Sequence, residues 1–152
     1  MDAAPPPCLC WPVTRTVEAD YLVVGAGAMG MAFTDALIDH ADVRAAVVDR
    51  RHSVGGHWLE AYPFVRLHQS SAFYGVASTL LGGGRLQQSG PEAGLQERAT
   101  QPEICAYYGG QADRMRESGK VEFFPNCEYV GGRTFVSRVS GERLRCRRGA
   151  GS

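Results

Sequence analysis

Residues 25–30 read Gly-Ala-Gly-Ala-Met-Gly, with glycine at the first, third and sixth places. Glycine has no Cβ, so it enters backbone conformations closed to other residues and lets other groups come close. The flanks show what such a segment serves. Tyr21-Leu22-Val23-Val24 is a continuous apolar run, the pattern of a strand buried on both faces. From Ala28 to His40, Met29, Ala32, Phe33, Ala36 and Leu37 recur at helical spacing. This predicts a helix that packs its Met29–Phe33–Leu37 face on a sheet. Ala45-Ala46-Val47-Val48 is a second apolar strand and ends at Asp49. Strand, glycine turn, helix and strand in this order make a βαβ unit with a right-handed crossover.

In such a unit each glycine has its own task. Gly25 permits the tight turn from strand to helix, Gly27 lets a pyrophosphate approach the backbone, and Gly30 lets helix and sheet pack closely. The free N–H groups at Ala28 and Met29 and the helix dipole favour the same anion. Asp49 lies 19 residues after Gly30, where an acid accepts hydrogen bonds from the adenosine ribose. Its charge argues against a 2′-phosphate there, and Arg50 and Arg51 argue the other way. The plain alternative is a glycine-rich turn in an α/β domain that binds nothing.

Regularity weakens from Arg50 to Ala99, where Gly, Ser, Gln and aromatic residues dominate. A second helix opens at Thr100-Gln101-Pro102-Glu103, a capping box with proline in the first turn. It places Ile104, Tyr107, Tyr108, Gln111 and Met115 on one face and ends at Ser118-Gly119. Val121–Phe124 reads as a third strand, and residues 128–130 and 134–136 flank Gly131-Gly132 as a hairpin. Residues 1–18, with prolines at 5–7, read as a flexible lead-in. Residues 141–152 read as an unpatterned, Arg-rich tail, and residues 19–140 as the folded part.

Sixteen basic and sixteen acidic residues give a formal charge of zero, which removes the electrostatic case for nucleic acid as a partner. No apolar run approaches the ~20 residues of a membrane span. No basic region followed by an apolar one opens the chain, and the five cysteines form no C-x-x-C pair. The expectation is a reduced, cytoplasmic protein with no metal site. No nucleophile elbow or acid–base pair is recognisable from spacing, so no catalytic residue is assigned. His57 and His68 read as cofactor-lining or surface groups.

Gly55-Gly56-His57-Trp58 begins six positions after Asp49. Together with Val24–Gly30 and Asp49-Arg50-Arg51, it resembles the FAD-binding N-terminal part of flavoprotein oxidoreductases, in particular the flavin-containing and Baeyer–Villiger-type monooxygenases. The resemblance implies an α/β fold: an incomplete Rossmann-like FAD/NAD(P)-binding domain with a long irregular region and a small β-hairpin. It implies that Gly25, Gly27, Ala28, Met29 and Gly30 surround the FAD pyrophosphate, that Asp49 and Arg50 lie at the adenosine, and that Gly55, Gly56, His57 and Trp58 run toward the flavin. Tyr62–Gln69 would come next. In the intact family NADP(H) reduces the flavin and a small organic substrate is oxygenated. No second glycine fingerprint for NADP(H) is visible here. The expectation is an N-terminal portion with little or no turnover alone, intact to about residue 140, its Arg-rich end reading as a premature stop or a change of frame. Two alternatives stand beside it: a stand-alone NAD(H)-binding Rossmann module, and a relic that binds nothing.

Overall fold

The computed structural model describes residues 12–149. Expectations placed on the prolines at 5–7, on Cys8 and Cys10, and on the last three residues lie outside that range. The elements are β1 (Arg15–Glu18), β2 (Tyr21–Val24), α1 (Ala28–His40), β3 (Ala45–Val48), β4 (Gly75–Val76), β5 (Thr79–Leu80), α2 (Gln101–Glu117), β6 (Val121–Phe124), β7 (Cys127–Gly131), β8 (Thr134–Ser137) and β9 (Arg143–Arg147).

All four residues of β3 are buried, because both faces of its sheet are covered. β3 lies between β2 and β6, parallel to both, with Ala45 opposite Tyr21 on one side and Val121 on the other. On one face Val23, Val47 and Val121 join Met31 and Ile38 of α1 and Ile104, Tyr108 and Met115 of α2. On the other, Ala46, Val48 and Phe124 pack against Val17, Phe135, Leu144 and Cys146. That second layer is a separate four-stranded sheet in the order β1-β9-β8-β7. The architecture is α/β and Rossmann-like, a parallel sheet between helices and a β layer.

The β layer corrects two readings of the sequence. Residues 15–18 and 143–147, read as lead-in and tail, are parallel strands paired Arg15 to Leu144 through Glu18 to Arg147. In β9 the alternation is plain once the arginines are seen as the outer face: Leu144 and Cys146 are buried between exposed or half-buried Arg143, Arg145 and Arg147. The hairpin of β7 and β8 belongs to this layer and not to the parallel sheet.

Helix α1 has the predicted limits but a different inner face. Met31, Thr34, Asp35 and Ile38 are buried, whereas Met29 is 84% and Phe33 49% exposed. Two polar residues turn inward because each has a partner. The Thr34 hydroxyl donates to the Gly30 carbonyl at 2.7 Å. The Asp35 carboxylate accepts from the Ser78 N–H at 3.0 Å and from its hydroxyl at 2.6 Å, and pairs with the Arg114 guanidinium. Apolar periodicity counts Thr34 and Asp35 as outer residues and so rotates the helix.

Helix α2 follows its reading closely. The Thr100 N–H donates to the Glu103 carboxylate at 2.7 Å, and that bond holds the Glu103 carboxyl below its ordinary range. Ile104, Tyr108, Gln111, Ala112 and Met115 are buried. The irregular region between β3 and α2 contains three 3-10 turns and the two-residue strands β4 and β5. Side chains bolt it to the helices: Trp58 Nε1 donates to Tyr74 Oη at 2.7 Å, and the Val76 N–H to Tyr107 Oη at 2.8 Å.

Two stability measurements test this packing. Gly110 is exposed on α2, and a Cβ there meets nothing within 4 Å. Gly110→Ala is expected to raise unfolding stability by about 0.5–1 kcal/mol in urea melts. Asp35→Ala is expected to lower it by about 2–3 kcal/mol, less than for a fully buried pair because Arg114 regains water.

Candidate functional site

The carboxyl ends of β2 and β3 and the amino end of α1 meet at residues 24–30 and 49–56. Gly25 has φ +105°, a conformation that only glycine adopts readily, and its N–H donates to the Val48 carbonyl at 2.7 Å. A Cβ on Gly30 would collide with the carbonyl oxygen of Gly25, so this glycine is demanded by the contact between helix and turn. Gly27 is different. Its φ of −81° and ψ of −172° are open to any residue, and a Cβ there would lie an ordinary 3.5 Å from the Gly56 Cα. Neither backbone conformation nor crowding requires glycine at 27.

Gly27 is also the N-cap of α1. The helix has no side-chain cap and no acid in its first turn. Its first bond runs from the Met31 N–H to the Gly27 carbonyl at 2.9 Å. The N–H groups of Ala28, Met29 and Gly30 therefore have no carbonyl within the helix to donate to.

A second glycine turn rests on the first. The Gly55 N–H donates to the Ala26 carbonyl at 2.9 Å. Gly56 has φ +60°, and a Cβ on it would lie 2.8 Å from the Gly27 Cα. Residues 56–60 then form a 3-10 turn. His57 on it is exposed, while Trp58 is buried in the main core. The exposed rings of Tyr62 and Phe64 stack at 5.4 Å just beyond, and His68 is exposed.

Asp49 joins these pieces. One carboxylate oxygen accepts from the Ala26 N–H at 2.6 Å, the other from the Arg51 N–H at 2.7 Å. The Cys127 N–H donates to the Asp49 carbonyl at 2.9 Å, and the Asn126 N–H to that of Arg51 at 2.8 Å. Two cavities flank this residue. One, of about 300 Å³, is lined by Val24, Gly25, Asp49, Arg50, Arg51 and residues 127–129. The other, of about 210 Å³, lies toward α2 against Val47, Val54, Ala112 and Phe123.

The structure thus brings Gly25, Gly27, Ala28, Met29, Gly30, Asp49, Gly55 and Gly56 into one cluster, with Arg50 exposed at the rim and Trp58 directed into the core. Arg51, weighed in the sequence against Asp49, lines the first cavity, and sequence reasoning missed Cys127, Glu128 and Tyr129 beside it. The usable signal was position, since ligands in open α/β sheets bind outside the carboxyl ends of the strands, and residues 127–129 follow the end of β6. Burial pushes the thiols of Cys105 and Cys127 above their ordinary range, which makes them poor nucleophiles. Among the described residues no helix is long and apolar enough to cross a membrane, and no cluster of three or more His, Cys, Asp or Glu side chains could hold a metal.

Residues 23–78 match the NAD(P)-binding Rossmann-like domain family. An uncharacterized protein of Mycobacterium tuberculosis is 51% identical over 118 residues, which cover 77% of this chain and 22% of that protein. The flavin-containing monooxygenase from Stenotrophomonas maltophilia superposes with a TM-score of 0.60 at 15% identity, over 88% of this chain and 37% of that one. The OTEMO complex with FAD and NADP superposes with a TM-score of 0.51 at 27% identity, over 80% and 22%. The chain has the Rossmann-like fold found in flavin monooxygenases. It spans about a fifth of the length of the curated relatives it matches.

The different demands on Gly27 and Gly30 are separable by thermal melts. Gly30→Ala is expected to destabilise by about 3 kcal/mol, since backbone must move. Gly27→Ala is expected to stay within about 1 kcal/mol of the parent, the ordinary cost of exchanging glycine for alanine at an N-cap.

Proposed function

We propose that this chain is the FAD-binding portion of a flavin-dependent oxidoreductase of the monooxygenase type. The observation that carries the reading is Gly27, a glycine that the protein's own backbone and packing do not require, at the uncapped amino end of α1. Such a position suits a pyrophosphate that approaches the backbone and accepts from the first-turn N–H groups. The order of the residues along the chain supports the reading. Gly25, Gly27, Ala28, Met29 and Gly30 would hold the pyrophosphate, and Asp49 the ribose. Arg50 would stand beside the adenosine in the cavity of about 300 Å³. Gly55, Gly56 and His57 would continue along the cofactor, with Trp58 stiffening that turn from the core side.

Bound FAD would supply two-electron redox chemistry, while the protein supplies position and shielding. For a polypeptide of the length of the longer relatives we propose NAD(P)H as reductant and a small organic molecule as substrate. The present chain would bind and orient. A second reading, an NAD(H)-binding module, is favoured by the match to the NAD(P)-binding family and uses the same glycine turn and Asp49.

The visible spectrum of the chain mixed with FAD and then desalted discriminates between the two. A retained flavin band is expected, lost in Gly27→Val while the cooperative melt persists. A colourless chain that instead quenches or enhances NADH fluorescence would replace the flavin reading with the nicotinamide one.

A further inference from the structure

The paired arginines after Asp49 pull against it in the sequence, because an acid repels a ribose 2′-phosphate and arginines attract one. The structure treats the two arginines differently. Arg51 Nε donates to Glu60 Oε1 at 2.8 Å. Glu60 closes the same 3-10 turn that sets Gly56 on Gly27. The Arg51 side chain is 21% exposed and that of Glu60 68%, so the arginine lies along the protein and the acid covers it from outside. Arg50 is exposed, and its carbonyl accepts from the Arg138 guanidinium. The charged residues lining the cavity are Asp49, Arg50, Arg51 and Glu128. With Arg51 neutralised from outside, two carboxylates face one uncompensated guanidinium. The bond to Arg51 holds the Glu60 carboxyl below its ordinary range, so the pair stays ionised at neutral pH.

We infer that Glu60 biases the nucleotide preference of this site: by engaging Arg51 it leaves the lining of the adenosine cavity net negative and disfavours nucleotides that carry a 2′-phosphate. The inference rests on the adenosine reading of the cavity and adds a specificity residue to it. Glu60 lies outside the lining and acts through Arg51, which makes it a positioning residue for that guanidinium.

The test compares adenosine 5′-monophosphate with adenosine 2′,5′-bisphosphate by calorimetry at low ionic strength, on the parent chain, Glu60→Gln, and Glu60→Gln with Arg51→Gln. The parent should prefer the monophosphate. Glu60→Gln frees Arg51 and should shift the affinity ratio toward the bisphosphate by about three- to fivefold, the scale of one exposed ion pair. Arg51→Gln on that background should reverse the shift, and added salt should shrink it. A merely structural role for the pair would weaken both nucleotides alike and leave the ratio unchanged. A parent chain that binds the monophosphate but whose ratio is unmoved by Glu60→Gln overturns this inference alone. A parent chain that binds neither nucleotide overturns the adenosine site, and this inference with it.

Discussion

The approach of two glycine backbones, Gly27 and Gly56, is the contact on which the site depends. A Cβ on Gly56 would stand 2.8 Å from the Gly27 Cα, so the second turn can reach the first only with bare backbone at Gly56. The Gly55 N–H completes the junction by donating to the Ala26 carbonyl. The irregular region thereby becomes an extension of the βαβ unit. Whatever lies against Gly27 also meets the turn at 55–57. Backbone N–H groups held in place before a ligand arrives suit a charged, extended one, because little ordering is left to be done on binding.

Holding that corner falls to side chains, since the segment between β3 and α2 has little ladder hydrogen bonding of its own. Tyr107 receives the Val76 N–H and donates to the Thr79 carbonyl. Gly75, at φ +122°, passes so close that a Cβ would lie 2.6 Å from the Tyr107 hydroxyl oxygen. Asp35 and Arg114 clasp Ser78 between α1 and α2. Irregular backbone is tolerable in a compact domain when its polar groups find such partners. The neighbouring Tyr108 hydroxyl is buried with no well-formed hydrogen bond among the described residues, and burial pushes its phenol far above the ordinary value.

Much of this was legible in the residues themselves. The glycine spacing, its flanking apolar runs and the acid at 49 gave the βαβ unit with its limits, and the capping box gave the start of α2. What escaped has physical causes. The inner face of α1 contains a threonine and an aspartate whose partners, the Gly30 carbonyl, Ser78 and Arg114, are in part far along the chain. No window of local sequence contains Ser78 or Arg114. Strands β1 and β9 are four and five residues long, and each buries only one or two apolar side chains. Their pairing joins the two ends of the described chain, so neither half shows a pattern without the other. The lining at residues 127–129 was hidden for a similar reason: main-chain position after β6, and not side-chain type, brings it to Asp49.

Asp49 shows why this position takes an acid. A carboxylate offers about four lone-pair sites over two equivalent oxygens. In this chain each oxygen already accepts one backbone N–H, from Ala26 and from Arg51. Those bonds fix the glycine turn to the end of β3 and leave further acceptor sites for the hydroxyls of a ribose. An amide could not do both. Asparagine has one oxygen and would point its NH₂ at one of the two N–H groups, donor against donor, so the turn would loosen even with the site empty. The residue that would recognise the ligand is therefore also the one that shapes the turn, and loss of binding in an Asp49 variant would not by itself separate these roles. Gly27 can separate them, because nothing in the protein's own structure asks it to be glycine.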